Sequence, residues 1–270
     1  MLDQDKFAIL TRPRRIWAVP AIHGEPRRLD RLHRRMAERF EIGDRLIYLG
    51  NVVGRGSGSV AAIDNLLRFR RVVIAGPGMF ASDVAVLRGA QEEMWQKLLQ
   101  LQLAFNPAEV LEWMLDQGVA ATIEAYGGDP QVGLRAARSG AAAIARWTGA
   151  LSAAIRGASG HAEFMTGLRR AACTEPGPGG PRLLFVHAGL DPSRPLAAQG
   201  DGLWWGDAGF RAIDRPYGGF AKVVRGFDRG HPGVGQRDFT LSLDAGCGFG
   251  GPLLGVCLSE AGEVLDLLEA

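Results

Sequence analysis

The sequence predicts an α/β fold built on a parallel sheet, and three observations predict it. Strand–loop–helix units follow one another through the first ninety residues; a mostly helical stretch runs from about residue 81 to 174; and short segments alternating apolar and small residues close the chain. Parallel strands joined through helices require crossover connections of one hand. In such sheets ligands collect outside the carboxyl ends of the strands.

Each element has a local reason. Ile16-Trp17-Ala18-Val19 is a short apolar run that meets Pro20, a buried strand feeding a loop. Residues 25–40 place Leu29, Leu32, Met36 and Phe40 at helical spacing with arginines on the other face. Arg45-Leu46-Ile47-Tyr48-Leu49 is the next strand and ends in the loop Gly50-Asn51-Val52-Val53-Gly54-Arg55-Gly56. Residues 59–69 form a second amphipathic helix, with Val60, Ile63, Leu66 and Leu67 inward. Val72-Val73-Ile74-Ala75 reads as a third strand stopped by Gly76-Pro77-Gly78, a loop that lacks the lysine and spacing of a phosphate-binding GxxxxGK motif. The helical stretch reads as a cap inserted into a single domain spanning 1–270. A Pro/Gly segment, 175–181, leads into the strand Leu183-Leu184-Phe185-Val186, and residues 239–243, 253–258 and 264–268 read as antiparallel strands.

Composition narrows the function classes. A hydrophobic share of 47% with 22% charged residues is enough for a substantial core. Lys+Arg 31 against Asp+Glu 29 is too balanced to argue for nucleic acid. Arginines such as Arg12, Arg14, Arg15, Arg27, Arg28, Arg31, Arg34 and Arg35 load the first forty positions, which reads as a solvated helix face ahead of a phosphate- or partner-binding patch. Cys173, Cys247 and Cys257 are odd in number and lack CxxC spacing, so they suit neither a disulfide framework nor a zinc knuckle. No apolar run follows a basic start, and the apolar stretch 141–155 is interrupted by Arg146 and too short to span a bilayer. A cytoplasmic protein, not a membrane one, is the expectation.

The loops carry a further signal in their order. Pro20-Ala21-Ile22-His23-Gly24, then Gly50 to Gly56, then Gly76-Pro77-Gly78-Met79, then Val186-His187-Ala188-Gly189-Leu190, then Arg225-Gly226-Phe227 each follow an apolar run, and Leu243-Asp244-Ala245-Gly246 comes after them. This succession resembles the calcineurin-like metallophosphoesterases. The branch in question holds the bacterial serine/threonine protein phosphatases and the symmetrical diadenosine-tetraphosphate hydrolases. Its loops read GDxHG, GDxxDRG, GNHE, VHAGL and GH, with a later DTG. Trp113, Gly118, Thr122 and Tyr126, and then Pro195-Leu196, Gln199 and Leu203-Trp204, resemble the segments between those motifs, so the likeness covers nearly the whole chain. It implies a metallophosphoesterase β-sandwich: two mixed sheets flanked by helices, with the helical cap.

The resemblance also implies a site, and here the motifs are degraded. Members hold two divalent metals bridged by a carboxylate, with a metal-bound water as nucleophile, which calls for carboxylate and imidazole ligands. Ala21 stands at the first aspartate, and Asn51 at the bridging one. Pro77 stands at the asparagine ligand and Gly78 at the histidine that protonates the leaving group; Gly54 replaces the aspartate orienting that histidine. Phe227 takes the place of the last histidine ligand, and Gly206 that of a second phosphate-binding arginine. What remains is His23, Asn51, Arg55 and His187. No bound metal is expected; if there is one, it is a single divalent transition metal on His23 and His187. Glu25 and Asp244 are the acids whose sequence positions would let them rebuild a centre. His231 reads as a surface loop residue, Trp204 and Trp205 as core or lid packing, and His33 and His161 as helical residues without an identifiable partner. The expected function is that of a catalytically inactive pseudophosphatase that binds a protein partner or a phosphorylated ligand, with an oligomer among its expected forms. The alternative is an active metal-dependent phosphoesterase, acting on phosphoprotein or dinucleotide polyphosphate, with a remodelled metal site.

Overall fold

The computed structural model describes residues 3, 5–177 and 179–270. Strands β1 (Phe7–Thr11) and β2 (Ile16–Val19) lead into helix α1 (Pro26–Ala37), strand β3 (Arg45–Tyr48), helix α2 (Ser59–Ile74) and strand β4 (Val84–Val86). Helices α3 (Ala90–Leu98), α4 (Pro107–Asp116), α5 (Ala120–Ala125), α6 (Pro130–Arg138), α7 (Ala141–Gly157) and α8 (His161–Gly167) follow. Then come β5 (Ala171–Glu175), β6 (Leu183–Val186), the short helices α9 (Gly202–Trp205) and α10 (Asp207–Arg211), and β7 (Lys222–Arg225). The chain ends with β8 (Gly235–Gln236), β9 (Thr240–Ser242), β10 (Leu254–Leu258) and β11 (Val264–Glu269).

Two mixed sheets result, ordered β1-β5-β6-β7-β9-β8 and β11-β10-β2-β3-β4. Within them β2, β3 and β4 run parallel, as do β6, β7 and β9. The residues of β2 show how the layers form. Ile16 and Ala18 enter the layer between the sheets, among Ile47, Phe185, Val224 and Leu241. Trp17 and Val19 point the other way, onto Leu29, Leu32 and Met36 of α1 and Ile63 and Leu66 of α2. Alternate strand residues face opposite sides, so a strand covered on both faces is apolar throughout. Leu203, Trp204 and Phe210 cover the outer face of the other sheet against Leu184, Val186 and Val223. Helices α3–α8 gather a separate core that includes Trp95, Leu111, Ile123, Trp147 and Leu151.

The structure corrects the sequence reading at the third strand. Val72 to Ala75 is not a strand. Helix α2 runs on through Ile74, burying Val73 in step with Leu66 and Phe69 and leaving Val72 62% exposed. Pro77 and Gly78 therefore sit in an exposed turn behind a helix. The third strand is β4, only three residues long, paired in parallel with β3. The helical stretch contracts accordingly: β4 and β5 belong to the two sheets, and the helices lie within residues 90–167. Strand β1, which has no counterpart in the sequence reading, pairs with β5. At the chain's end β10 is antiparallel to β11 and β2, but β9 is parallel to β7 and antiparallel only to β8. Among the described residues no helix is long and apolar enough to cross a membrane.

Candidate ligand cleft

The two sheets touch where their parallel strands end. His187 Nδ1–H donates to the Leu49 carbonyl at 2.7 Å, and the Ala21 N–H donates to the Gly226 carbonyl at 3.0 Å. Gly226 permits this approach, since a Cβ there would lie 2.2 Å from the Cβ of Leu49. The loops leaving β2, β3, β4, β6, β7 and β9 surround a cleft of about 290 Å³.

The backbone of these loops is strained in a consistent way. Five non-glycine residues among those described have positive φ. Four of them line the cleft: His23 at 53°, Asn51 at 51°, Arg55 at 48° and His231 at 47°. Such a conformation costs a non-glycine residue on the order of 1–3 kcal/mol and persists only where its surroundings hold it. They do so here. The Asn51 carbonyl accepts from the N–H groups of Ile22 and His23, the Gly56 N–H donates to the His23 carbonyl, and the Arg55 N–H donates to the Gly118 carbonyl.

The loop after β4 holds residues that the sequence reading did not assign. Arg88-Gly89-Ala90-Gln91-Glu92 follows the true third strand and keeps the first and last residues of the GNHE pattern; that partial match was the available signal. Ala90 and Gln91, not Pro77 and Gly78, stand at the third motif. The buried Glu92 carboxylate accepts from the N–H groups of Gly89 at 2.8 Å, Asn51 at 2.9 Å and Val53 at 3.1 Å. Burial pushes its pKa above the usual carboxylate value, against the pull of those donors. The Gln91 N–H donates to Asn51 Oδ1 at 2.9 Å, and Gln91 Nε2–H donates to the Gln117 carbonyl at 2.8 Å, tying this loop to the end of α4.

Three imidazoles gather around Phe227. The bond to Leu49 puts the proton of His187 on Nδ1, leaving Nε2 buried without a partner, and burial pushes its pKa down to about 4. His23 is also fully enclosed, with Nδ1 unpartnered and Nε2 3.4 Å from Asn51 Nδ2. Burial, and then the neighbouring His187, Arg55 and His231, hold it well below the ordinary histidine pKa. The Phe227 ring lies flat on His187 (centroids 5.4 Å apart, planes 8° apart) and meets His23 edge-on at 5.8 Å. His231 is the second correction. It is no surface loop residue: its ring lies 4.2 Å from Phe249 and 5.9 Å from Phe227, and Nδ1–H donates to Asp244 Oδ2 at 2.8 Å.

The metal pair that the resemblance implies does not fit this donor set. Position 21 offers a methyl group, and the one amide oxygen of Asn51 already accepts from Gln91. Asp244 accepts from the N–H groups of Asp228 and Gly246 as well as from His231, and Glu25, at the start of α1, does not line the cleft. Neither acid rebuilds the centre. Asp207 in the cleft wall is already paired with Arg225 and Arg211, so two dications would lack their main electrostatic support. Among the described residues no group of three or more His, Cys, Asp and Glu side chains is arranged to hold a metal ion.

What the cleft does offer is positive charge and aromatic surface. Arg55 lies over the Phe249 ring at 4.0 Å. Among the described residues neither Arg55 nor Arg229, both in the cleft wall, has a carboxylate within 4.0 Å. Asp207 is neutralised by Arg225 at 2.6 Å and Arg211 at 3.0 Å. Trp204 is packed in the core with its Nε1–H on the Arg88 carbonyl, whereas Trp205 is half-buried and braced edge-on by Trp113 at 6.0 Å. Gly206, behind it, packs against Gly189. His33 and His161, which had no partner in the sequence reading, are both satisfied. His33 bonds to Asn65 and Tyr48, and His161 to Tyr126 and Asp64. The three cysteines are buried and free.

Two mixed sheets with helices outside, and a cleft fed by strand ends from both, define a phosphoesterase-type architecture. No family model matches the sequence, and no curated protein matches it. Solved structures do. A provisionally assigned diadenosine tetraphosphatase aligns over 97% of this chain and 98% of its own, with 18% identity and a TM-score of 0.50. Looser superpositions exist. A cold-active protein tyrosine phosphatase from a psychrophilic Shewanella has 11% identity, 98% and 85% coverage and a TM-score of 0.47. A serine/threonine phosphatase from Saccharomyces cerevisiae has 14% identity, 98% and 82% coverage and a TM-score of 0.46. By the first superposition and its own sheet topology, the chain has the metallophosphoesterase fold.

Proposed function

We propose that this protein has lost two-metal phosphoester hydrolysis and keeps its cleft as a binding site for a phosphorylated ligand. One observation carries the reading: among the described residues no unpaired carboxylate lines the cleft that holds His23, while two guanidinium groups without acidic partners do. The left-handed backbone at His23, Asn51, Arg55 and His231 supports it, because strain of that kind marks a loop arrangement held for a purpose other than stability. A phosphorylated ligand accounts for these cleft features directly; a protein partner docking elsewhere would not need them. Loss of the general acid alone typically lowers a rate by about 10²–10⁴, and Gln91 has no proton to give at neutral pH.

A second reading has its own support. His23 Nδ1 and His187 Nε2 are buried nitrogens without partners, the type of donor that a single divalent transition metal accepts. An active enzyme with a one-metal centre would use them. Turnover of 4-nitrophenyl phosphate separates the two, measured with excess Mn²⁺ or Zn²⁺ and again in EDTA. The binding reading expects background rates in both. Metal-stimulated turnover that disappears in His187→Ala would overturn it in favour of the second.

A further inference from the structure

We infer that the cleft is shaped for a small phosphate monoester whose organic half is an aromatic ring; this rests on reading the cleft as a phosphorylated-ligand site. Charge comes first. Arg55 and Arg229 line the same cleft and carry guanidinium groups with no carboxylate within 4.0 Å among the described residues, which suits them to a phosphate monoanion. His231 supplies a third polar contact. Asp244 holds its Nδ1–H, and Nε2 has no hydrogen-bond partner among the described residues. Nε2 is thereby left to share the proton of a monoester phosphate, whose second pKa is about 6. The one acid in the wall among the described residues, Asp207, is engaged by Arg225 and Arg211 and does not oppose an anion.

The rest of the lining is aromatic. Trp205 is half-buried and held edge-on by Trp113, Phe227 is stacked on His187, and Phe249 bridges Arg55 and His231. Rings held in this way by their neighbours offer a preformed surface to a planar group. Size closes the argument. A cleft of about 290 Å³ lies at the lower end of the range for small-molecule sites, about 300–1,000 Å³. One ring and one phosphate fill a space of that size, and two nucleosides joined by a polyphosphate chain would extend beyond it.

Calorimetric titration of the full chain in EDTA with phenyl phosphate, inorganic phosphate and phenol tests this. Phenyl phosphate is expected to bind at least about tenfold more tightly than either fragment. Arg229→Ala should weaken phenyl phosphate and inorganic phosphate alike. Trp205→Ala should weaken phenyl phosphate alone, and Trp205→Phe should restore it, with thermal melts showing each variant folded. Phosphotyrosine and a nucleoside 5′-monophosphate then tell whether the ring is that of a side chain or a base, and tight binding of either supports the inference. Equal affinity for inorganic and phenyl phosphate would overturn the aromatic preference while leaving the phosphate-binding cleft intact. Tighter binding of a dinucleotide polyphosphate would overturn the size argument. No binding of any probe would overturn both readings.

Discussion

Gln91 lies in the space that a side chain at Gly54 would take: a Cβ built at Gly54 would stand 2.4 Å from Gln91 Oε1. In the family the sequence resembles, the position of Gly54 carries an aspartate that orients a histidine, and Gln91 follows the strand where that histidine belongs. In this chain a glycine and a longer amide stand at those places and pack against each other. Gly54→Ala should destabilise the fold by roughly 1–3 kcal/mol through overpacking, with added strain from a φ of 95°. Urea unfolding of Gly54→Ala, Gln91→Ala and the double variant checks it. The double variant is expected to recover part of the loss, a coupling of about 0.5–3 kcal/mol; simple additivity would show that the pair is not packed as a unit.

Glu92 is the acid retained at the heart of the site, and its role is to hold backbone. Its carboxylate satisfies the N–H groups of Gly89, Asn51 and Val53. A buried donor left without a partner costs about 1–3 kcal/mol. Glu92→Ala should therefore lower stability by about 3 kcal/mol or more, with Glu92→Gln losing less because one oxygen remains. Chemical denaturation measures both, and a loss under about 1 kcal/mol for Glu92→Ala would contradict the assignment.

Much of this was legible in the sequence, and the failures have physical causes. Val186-His187-Ala188-Gly189-Leu190 and the loops at His23 and Asn51 fall where the sequence places them, because each follows an apolar strand long enough to read. The third strand did not read. Val72, Val73 and Ile74 are β-branched and precede Gly76-Pro77-Gly78, which imitates a strand stop, yet Val73 continues the helical face of Leu66 and Phe69. The true strand, Val84–Val86, is too short to show a period. His231 was misread for a different reason. Three residues separate it from Phe227, and the turn through Asp228 and Gly230, with the bond to Asp244, brings its ring back to the cleft.

Acid should destabilise the protein through its buried neutral histidines. Burial depresses both His33 and His187 from 6.5 to about 4. The unfolded chain takes up these protons first, so the stability they confer is complete above about pH 6.5 and declines as pH falls toward about 4. Each histidine lowers it by about 1.4 kcal/mol per pH unit across that window. Urea midpoints between pH 7.5 and 4.5 should follow this slope, to which His23, also held well below the ordinary value by burial, adds its own share, and His187→Asn should remove about a third of it. A midpoint flat over that range would contradict the buried neutral state of these rings.

Metal content tests the loss of the two-metal centre most directly. The full chain would be saturated with Mn²⁺ and Zn²⁺, dialysed against metal-free buffer and analysed by mass spectrometry of the elements. The donor set of His23, Asn51 and His187, closed over by Phe227, predicts a stoichiometry near zero. Two metals per chain, retained through dialysis and lost in His187→Ala, would contradict it.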